Sequence, residues 1–291
     1  MSAATHRFNK TRLAPTPSGF LHLGNVLSFA ITASLARETG AKILLRIDDL
    51  DRARADKKYI QDIFDTLNFL KIPWDEGPLD TEEFETTYSQ LHRMPLYQDA
   101  LQQLTDKELV YACTCSRKQI NHSCNCRASK LSLDTPEASW RLITGDAALN
   151  VKDYKGENIN ATLPTEMRDF IVRKKDGFPA YQLSSVVDDL FYGVDLIVRG
   201  DDLRPSTLAQ HVLAGALGEN RFGAITFHHH ALLKELSGEK LSKSAGSTSV
   251  RYLREQGSSP TDIYTTIANM LGVEQRVGSW QQLAKLAAKP P

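Results

Sequence analysis

The first quarter of the chain alternates short apolar runs with segments of helical periodicity. A short strand-like segment over residues 11–14 leads into a loop rich in Pro and Gly. The segment 26–39 then has a helical pattern that ends at Gly40, a residue common after helix C-termini. Residues 41–47 form an apolar run of strand length, and residues 57–70 again place apolar side chains at helical spacing. This order of strands and helices predicts a parallel α/β sheet.

The pattern changes after residue 73, where helices over 86–109 precede a cysteine-rich loop and polar, strand-like pieces up to about residue 169. We interpret this part as an insertion, because the α/β pattern returns after it. The predicted elements of the second half are strands over 170–173, 185–187 and 195–198 and helices over 207–217, 261–271 and 280–288.

The predicted fold class is therefore α/β: a Rossmann-like parallel sheet with an inserted domain, which carries the cysteines, and a short helical C-terminal segment. The predicted segments are residues 1–76, the first half of the α/β domain; residues 77–169, the insertion; residues 170–233, the second half; and residues 234–291, a lysine-containing loop followed by the C-terminal helices.

Composition narrows the class of protein. The chain has 291 residues, of which 41% are apolar and 24% charged, and this excludes collagen-like, disordered and low-complexity proteins. No apolar run approaches the ~20 residues of a membrane span, and residues 1–10 lack the apolar core of a signal peptide. We therefore expect a cytoplasmic protein. Lys+Arg and Asp+Glu are balanced at 35 each, so a polyanion would have to bind a local basic patch.

The loop between the first predicted strand and helix contains His22 and Gly24. In open α/β folds, ligands bind at the carboxyl ends of the strands, where this loop lies. A helix N-terminus favours anions, a glycine allows close backbone approach, and an imidazole can donate a hydrogen bond to phosphate. On its own, the His-x-Gly pattern fits an ordinary turn equally well.

A second candidate loop, residues 238–246, holds Lys240 and Lys243 among Ser and Gly residues. Two cationic side chains on such a loop can neutralise a triphosphate and stabilise the charge that develops as pyrophosphate leaves. An isolated Lys/Ser run is more often a solvated surface loop. Together with the His22 loop, however, it favours a nucleotide site.

All four cysteines lie in one short segment, as two C-x-C pairs separated by eight residues: Cys113, Cys115, Cys124 and Cys126. Four thiolates suit tetrahedral zinc, and four cysteines are too few for a disulfide scaffold in a chain of this length. His122 is an alternative to Cys124 as a ligand, and three protein ligands would leave room for an outside group. We favour a four-ligand structural site that stabilises the insertion.

The histidine motif, residues 22–25 (HLGN), and the lysine motif, residues 240–244 (KLSKS), resemble the two signatures of class I aminoacyl-tRNA synthetases. Three further segments resemble the glutamyl branch of that class: residues 12–19 (RLAPTPSG), 45–51 (LRIDDLD) and 198–203 (VRGDDL). Glutamyl-tRNA synthetases continue after the lysine loop into a helical anticodon-binding domain, whereas about 45 residues follow Gly246 here. We expect no such domain. The chain therefore resembles the glutamyl-queuosine tRNA(Asp) synthetase family.

That resemblance implies a ligase that activates L-glutamate with ATP and Mg(II), without tRNA, and transfers it to queuosine in tRNA(Asp). It makes the insertion an acceptor-binding domain with a zinc knob, and we expect a monomer that does not bind membranes. The catalytic residues it implies are His22, Gly24, Asn25, Lys240 and Lys243. The glutamate-binding residues are Arg12, Ala14, Thr16, Asp48, Tyr181 and Arg199, and the ATP-binding residues are His22, Asp202, His229 and Lys243.

Some of these assignments are less direct than others. Asp48 stands where the branch usually has Glu, one methylene longer, and either Arg199 or Arg12 can pair with the side-chain carboxylate of glutamate. In the run 228–230, three consecutive histidines on an extended segment cannot converge on one metal, so we expect only His229 to face the nucleotide. For the same reason we interpret Asp188 and Asp189, placed on a strand, as structural.

Three alternatives share parts of this pattern. A short glutamyl-tRNA synthetase that charges the 3′-terminal adenosine of tRNA(Glu) would have the same site residues. A nucleotidyltransferase of the pantetheine-phosphate type also carries a His-x-Gly-His-like loop, but the set Arg12, Tyr181 and Arg199 argues against it. An inactive tRNA-binding module is disfavoured because both signature motifs keep their polar residues.

Overall fold

A computed structural model of the chain describes residues 7–116, 124–233 and 249–288 and shows a mixed α/β protein. Its strands are β1 (Lys10–Leu13), β2 (Lys42–Leu45), β3 (Val110–Cys113), β4 (Ser139–Leu142), β5 (Leu149–Asp153), β6 (Asn158–Ala161), β7 (Ile171–Arg173), β8 (Leu196–Gly200) and β9 (Thr226–His230). Its α-helices are α1 (Leu23–Thr39), α2 (Lys57–Phe69), α3 (Thr81–Glu83), α4 (Met94–Asp106), α5 (Cys126–Ser129), α6 (Tyr181–Phe191), α7 (Arg204–Leu217), α8 (Val250–Glu255), α9 (Pro260–Met270) and α10 (Trp280–Ala287).

The chain packs into two compact units. The first contains Met1–His92, Val194–Asp202 and His228–Pro291, and the second contains Arg93–Gly193 and Leu203–Phe227. These units follow packing rather than order along the chain, so the predicted boundaries after residues 76, 169 and 233 stay a prediction. Among the described residues, no helix has the length and apolar character needed to cross a membrane.

In the first unit, β1 and β2 pair in parallel, with Lys10 opposite Lys42 and Leu13 opposite Leu45, and α1 connects them. This confirms the predicted strand–helix–strand unit with a parallel pair. The helix begins at Leu23, three residues before the predicted start, because the His22 side chain caps it. It ends before Gly40, whose φ of 80° lies in the left-handed region that glycine adopts readily.

Segments distant in sequence complete the first unit. The backbone N–H of Asp195, just before β8, donates to the Lys10 carbonyl at 3.0 Å, and its carboxylate accepts from the backbone N–H groups of Asn9 and Lys10. Helix α10 packs against α1 and buries Leu283 and Trp280. The core of this unit is therefore built from both ends of the chain.

The second unit has mainly antiparallel strands. Strands β3, β4 and β7 form one sheet, with Val110 opposite Leu142 and Trp140 opposite Arg173. Strand β5 pairs antiparallel with β6 and parallel with the start of β9, where Lys152 lies opposite Thr226. The helices α6 and α7 pack against each other in the same unit.

One predicted element is wrong: residues 185–187 lie inside helix α6 and not at the end of a strand. The sequence Ser-Ser-Val-Val contains β-branched residues, which favour strands, but α6 packs against β7 and α7 and buries seven of its eleven residues. Packing of this kind overrides local propensity, because burial of several side chains outweighs differences of a few tenths of a kcal/mol per residue.

Candidate active site and metal centre

The His22 loop forms a capping box at the start of α1. The backbone N–H of Gly24 donates to His22 Nδ1 at 3.1 Å, and the backbone N–H of His22 donates to Asn25 Oδ1 at 3.0 Å. A Cβ at position 24 would lie 3.0 Å from His22 Cε1, so glycine lets the ring fold over the backbone. Because Nδ1 accepts, the neutral ring carries its proton on Nε2, where it can donate to a ligand. The three residues predicted here are thus brought together.

The backbone of this loop is fixed at the carboxyl ends of two parallel strands. The backbone N–H of Arg46 donates to the Leu13 carbonyl and that of Asp48 donates to the Pro15 carbonyl, both at 2.9 Å. The pairing of β1 and β2 thus continues past both strands and holds the loop against residues 46–48. This is the edge where open α/β sheets bind their ligands.

Two predicted glutamate-binding arginines come from the same region of the first unit. Arg12 on β1 is 6% exposed, and its Nη1 donates to the Val198 carbonyl at 3.4 Å. Arg199, the next residue of β8, is 3% exposed. The Arg12 guanidinium therefore lies against the backbone of β8, the strand that carries Arg199, and guanidinium groups suit an anionic ligand.

Asp48 is buried and already bound to an arginine of the protein. Arg46 Nε lies 2.8 Å from Asp48 Oδ1, and Arg46 Nη2 lies 3.1 Å from Oδ2. This bidentate pair keeps the shorter carboxylate in place and offsets its charge. Each carboxylate oxygen has a second lone pair, so binding of a substrate ammonium by Asp48 stays a prediction.

The neighbouring Asp49 has a structural role that the sequence did not indicate. Its carboxylate accepts from Ser89 Oγ at 2.7 Å, from the Gln90 backbone N–H at 2.9 Å and from Arg52 Nη1 at 2.9 Å. The Gln90 side chain in turn accepts from the Leu50 backbone N–H. These bonds join the end of the acidic segment to residues 89 and 90.

The remaining predicted site residues are distributed as follows. Ala14 is half-buried and Thr16 is exposed in the His22 loop. Asp202 is exposed in the short 3-10 helix Asp201–Leu203 after β8, and His229 is half-buried on β9. These four residues belong to the first unit. Tyr181 begins α6 in the second unit and is 44% exposed. Lys240 and Lys243 lie outside the described residues, so their predicted roles stay predictions.

Both acidic residues of α6 are buried, and the contacts of Asp188 are structural. Asp188 is fully buried and accepts from Arg93 Nε at 2.8 Å and from Tyr97 Oη at 2.7 Å. The pair lies on a helix rather than on the predicted strand, but this arrangement fits the predicted structural role.

Next to His229, burial lowers the pKa of His230, and the ring Nδ1 bonds to the Ala231 carbonyl at 2.9 Å.

The four cysteine sulfur atoms converge in the second unit, at the end of β3 and the start of α5, and all lie within 4.8 Å of one another. Cys113 and Cys124 are 3.8 Å apart, and Cys115 and Cys126 are 3.5 Å apart. Four sulfur atoms at about 2.3 Å from a tetrahedral zinc ion would be about 3.8 Å apart, so the donor set fits zinc. Cys124 thus belongs to the cluster, while the alternative ligand His122 lies outside the described residues.

The protein supports this cluster through a few hydrogen bonds. Ser139 Oγ donates to the Cys113 carbonyl at 3.0 Å, and Lys175 Nζ donates to the Thr114 carbonyl at 2.9 Å. Burial disfavours the thiolate of Cys126, but the Thr114 backbone N–H and the neighbouring thiols outweigh it and lower its pKa to about 7, while the hydrogen bond with Cys126 raises the pKa of Cys115. A thiolate is the form that binds metal.

Comparison with known proteins identifies the family. Residues 9–144 and 145–279 match the model for the catalytic domain of class I tRNA synthetases (E and Q). The chain belongs to this family. In fold, it is similar to the crystal structure of a glutamate-tRNA synthetase from Elizabethkingia anophelis, with a TM-score of 0.73 and 22% identity over 96% of this chain and 65% of that one.

Curated relatives carry two different names. A glutamyl-Q tRNA(Asp) synthetase from Rhodobacter capsulatus is 31% identical over 87% of this chain and 97% of its own length. One from Methylococcus capsulatus is 34% identical over 90% of this chain and 82% of its own length. A glutamate–tRNA ligase 2 from Nitrosococcus oceani is 33% identical over 96% of this chain, which spans 62% of that relative.

Proposed function

We propose that this class I synthetase activates L-glutamate with ATP to glutamyl-adenylate without tRNA, and then transfers the glutamyl group to queuosine in tRNA(Asp). One observation carries the choice of acceptor: nearly the whole length of a relative named glutamyl-Q tRNA(Asp) synthetase has a counterpart in this chain. The geometry of the His22 loop and of the two buried arginines supports the activation step.

In the first step, the α-carboxylate of glutamate attacks the α-phosphate of ATP, and pyrophosphate leaves. The N-terminus of α1 and the Nε2–H of His22 offer donors to phosphate oxygens, and Lys243 offers a cation to the leaving pyrophosphate. Mg(II) is expected to accompany ATP as its counterion. Arg199 or Arg12 pairs with the side-chain carboxylate of glutamate, and Asp48 faces the ammonium group.

In the second step, a hydroxyl group of the acceptor nucleoside attacks the adenylate carbonyl, and AMP leaves. The protein needs no nucleophile of its own for either step, so its contribution is positioning and electrostatic stabilisation. Cys113, Cys115, Cys124 and Cys126 would hold zinc, which supplies structure, because four thiolates leave no open coordination position.

A second candidate function is a glutamyl-tRNA synthetase that charges the 3′ end of tRNA(Glu). The relative from Nitrosococcus oceani, which is named a glutamate–tRNA ligase and matches 96% of this chain, favours it. The two functions share the activation site and differ in the nucleoside that attacks the adenylate.

The test combines two assays. ATP–pyrophosphate exchange is measured with glutamate in the presence and absence of tRNA, and labelled glutamate is offered to purified tRNAs with and without queuosine. The labelled tRNA is then cut into fragments to locate the label. We expect exchange without tRNA and label in the anticodon fragment of queuosine-containing tRNA(Asp) only. Label at the 3′ end of tRNA(Glu), with exchange that requires tRNA, would establish the second candidate instead.

A lysine variant shows whether the exchange depends on the proposed chemistry. Lys243→Ala should lower the exchange rate by ~10²-fold or more with little change in the KM for glutamate, because one charge partner of the leaving pyrophosphate is lost. Lys285→Ala, which removes an exposed lysine of α10, serves as the control and should leave the rate unchanged. An unchanged rate in Lys243→Ala would remove the lysine loop from the chemistry.

A further inference from the structure

Leu21, the residue before His22, has both of its backbone polar groups bound to other parts of the first unit. Its N–H donates to Asp62 Oδ2 on α2 at 3.3 Å, and its carbonyl accepts from the Val250 N–H at the start of α8 at 2.8 Å. An isolated antiparallel bridge also joins His22 to Ser249. The backbone that carries the His22 imidazole is therefore held between α2 and α8.

Asp62 connects these two helices. Its side chain is 2% exposed, and its buried Oδ1 faces Arg254 Nη2 of α8 at 3.7 Å. Burial raises the pKa of Asp62, while the Leu21 N–H and the Arg254 guanidinium act in the opposite direction. A buried carboxylate costs free energy unless it is paired. The Leu21 N–H and the Arg254 guanidinium are the groups that offset this cost for Asp62.

Helix α8 makes a second contact with the same segment. The Arg251 guanidinium lies over the Phe20 ring, 4.6 Å from its centroid, and Phe20 packs edge-on against Tyr59 of α2 at 4.9 Å. The helix has six residues, too few to be stable alone, and the Ser249 side chain caps it by accepting from the Tyr252 N–H. Its placement therefore depends on the contacts with residues 20–22 and with α2.

We propose that Asp62 is a positioning residue for His22: it holds the Leu21 N–H and, through Arg254, joins the His22 loop to α8. Loss of its carboxylate would release the backbone one residue before the imidazole and loosen the α1 cap that orients the ring. The carboxylate itself is buried on α2 and acts through Leu21. The kinetic part of this proposal rests on the proposed function, since it takes adenylate formation as the reaction that His22 serves.

The kinetic test compares Asp62→Ala, Asp62→Asn and Asp65→Ala in the exchange assay on the full chain. Asp65 is the matched control, because it lies on the same helix and faces the same Arg254 guanidinium at 3.6 Å, but its side chain is 44% exposed. Asp62→Ala should lower kcat about 10-fold or more, with a KM for glutamate within about twofold of the wild type. Asp62→Asn should recover most of that loss, because a carboxamide oxygen can still accept from Leu21, and Asp65→Ala should match the wild type.

A spectroscopic readout tests the same idea without activity. The nitrogen shifts of the His22 ring, assigned with His22→Gln, should show an unprotonated Nδ1 in the wild type and in Asp65→Ala, and should change in Asp62→Ala. If the wild type shows no glutamate-dependent exchange, the proposed function fails, and the ring signals still decide the positioning role.

The proposal is overturned by any of three results. In the first, Asp62→Ala keeps the wild-type kcat and ring signals. In the second, Asp65→Ala loses as much activity as Asp62→Ala. In the third, Asp62→Asn does not recover activity although its melting temperature equals that of the wild type. Where Asp62→Ala does not fold, the comparison of Asp62→Asn with Arg254→Ala, which removes the charge facing Asp62, replaces it. Altered ring signals in Arg254→Ala together with wild-type signals in Asp62→Asn support the proposal. Wild-type signals in Arg254→Ala, or altered signals in a folded Asp62→Asn, overturn it.

Discussion

The His22 loop and the cysteine cluster are both small groups of polar side chains, but their geometry is fixed in different ways. In the His22 loop, the side chains of His22 and Asn25 bond to the backbone of the same segment, and the Leu21 backbone N–H bonds to Asp62 on α2. In the cysteine cluster, four thiols crowd within 4.8 Å, where their own hydrogen bonds are weak.

This difference identifies what each region needs in order to fold. The first unit can form its site from hydrogen bonds, ion pairs and the packing of α1 and α10. The cysteine cluster needs a further partner, because thiolates brought so close together repel one another unless a cation lies between them. We therefore expect metal removal to affect the two regions unequally.

The largest expected effect comes from the cluster. Replacing Cys113 or Cys115 by Ser should release about one equivalent of zinc and unfold the surrounding part of the second unit, because structural zinc supplies folding free energy locally. Hydrogen exchange should rise in β3 and β4 while β1 and β2 stay protected. Ser129→Ala is a nearby control that keeps all four thiols. Carefully purified wild-type protein without zinc, or equal exchange in both units, would contradict this contrast.

A smaller effect is expected from replacing the buried arginines of the first unit, because this change affects substrate binding and not the folding of the unit. Arg199→Gln should lower kcat/KM for glutamate in adenylate formation by about 10²-fold or more, since a charge-assisted pair is lost in a buried site. Glutamine, which has no side-chain charge, should lose far less. Arg12→Gln is the matched variant. If Arg199→Gln weakens both amino acids equally, the carboxylate contact belongs to Arg12.

The smallest effect concerns a surface ion pair that supports β2. The Asp75 carboxylate accepts from Arg37 Nη1 at 3.0 Å, from Arg37 Nη2 at 2.9 Å and from the Ile43 backbone N–H at 2.8 Å. Burial alone would raise the pKa of Asp75, but these bonds outweigh it and lower the pKa. The folded-state pKa lies below the unfolded value, so the stabilisation is present above the unfolded pKa and is lost as pH falls through the folded pKa.

Asp75→Asn should therefore lower the free energy of unfolding by about 1 kcal/mol at neutral pH and by progressively less below pH ~4. Urea denaturation at a series of pH values measures this difference. Asp99→Asn, on the exposed side of α4, is the control and should show no such pH dependence. A constant difference across the pH range would mean that the charge of Asp75 does not contribute.

The sequence predicted those features that depend on local pattern. The parallel pair β1–β2, the helices α1 and α2, and the convergence of the four cysteines all follow from periodicity, from Gly40 as a helix terminator and from C-x-C spacing. The assignment of Arg12 and Arg199 to glutamate binding came from the family resemblance rather than from any local pattern.

The features that the sequence did not predict depend on residues far apart in the chain. Asp62 and Asp49 look like ordinary surface acids in a charged helix and a strand end, and only the fold buries them against Leu21 and Gln90. The antiparallel sheet β3-β4-β7 and the helical state of residues 185–187 likewise depend on packing against residues far away in the sequence, which a short sequence segment does not show.

The assembly of the first unit from three separate segments has a consequence for how the protein is made. Strand β1 contacts β8, about 185 residues later, and α1 contacts α10 near the other end of the described chain. The second unit ends at Phe227, so during synthesis it can leave the ribosome complete, together with β8, before α10 has been made. The apolar face of α1 must then stay uncovered until residues 280–287 emerge, which makes the N-terminal segment a natural substrate for chaperones.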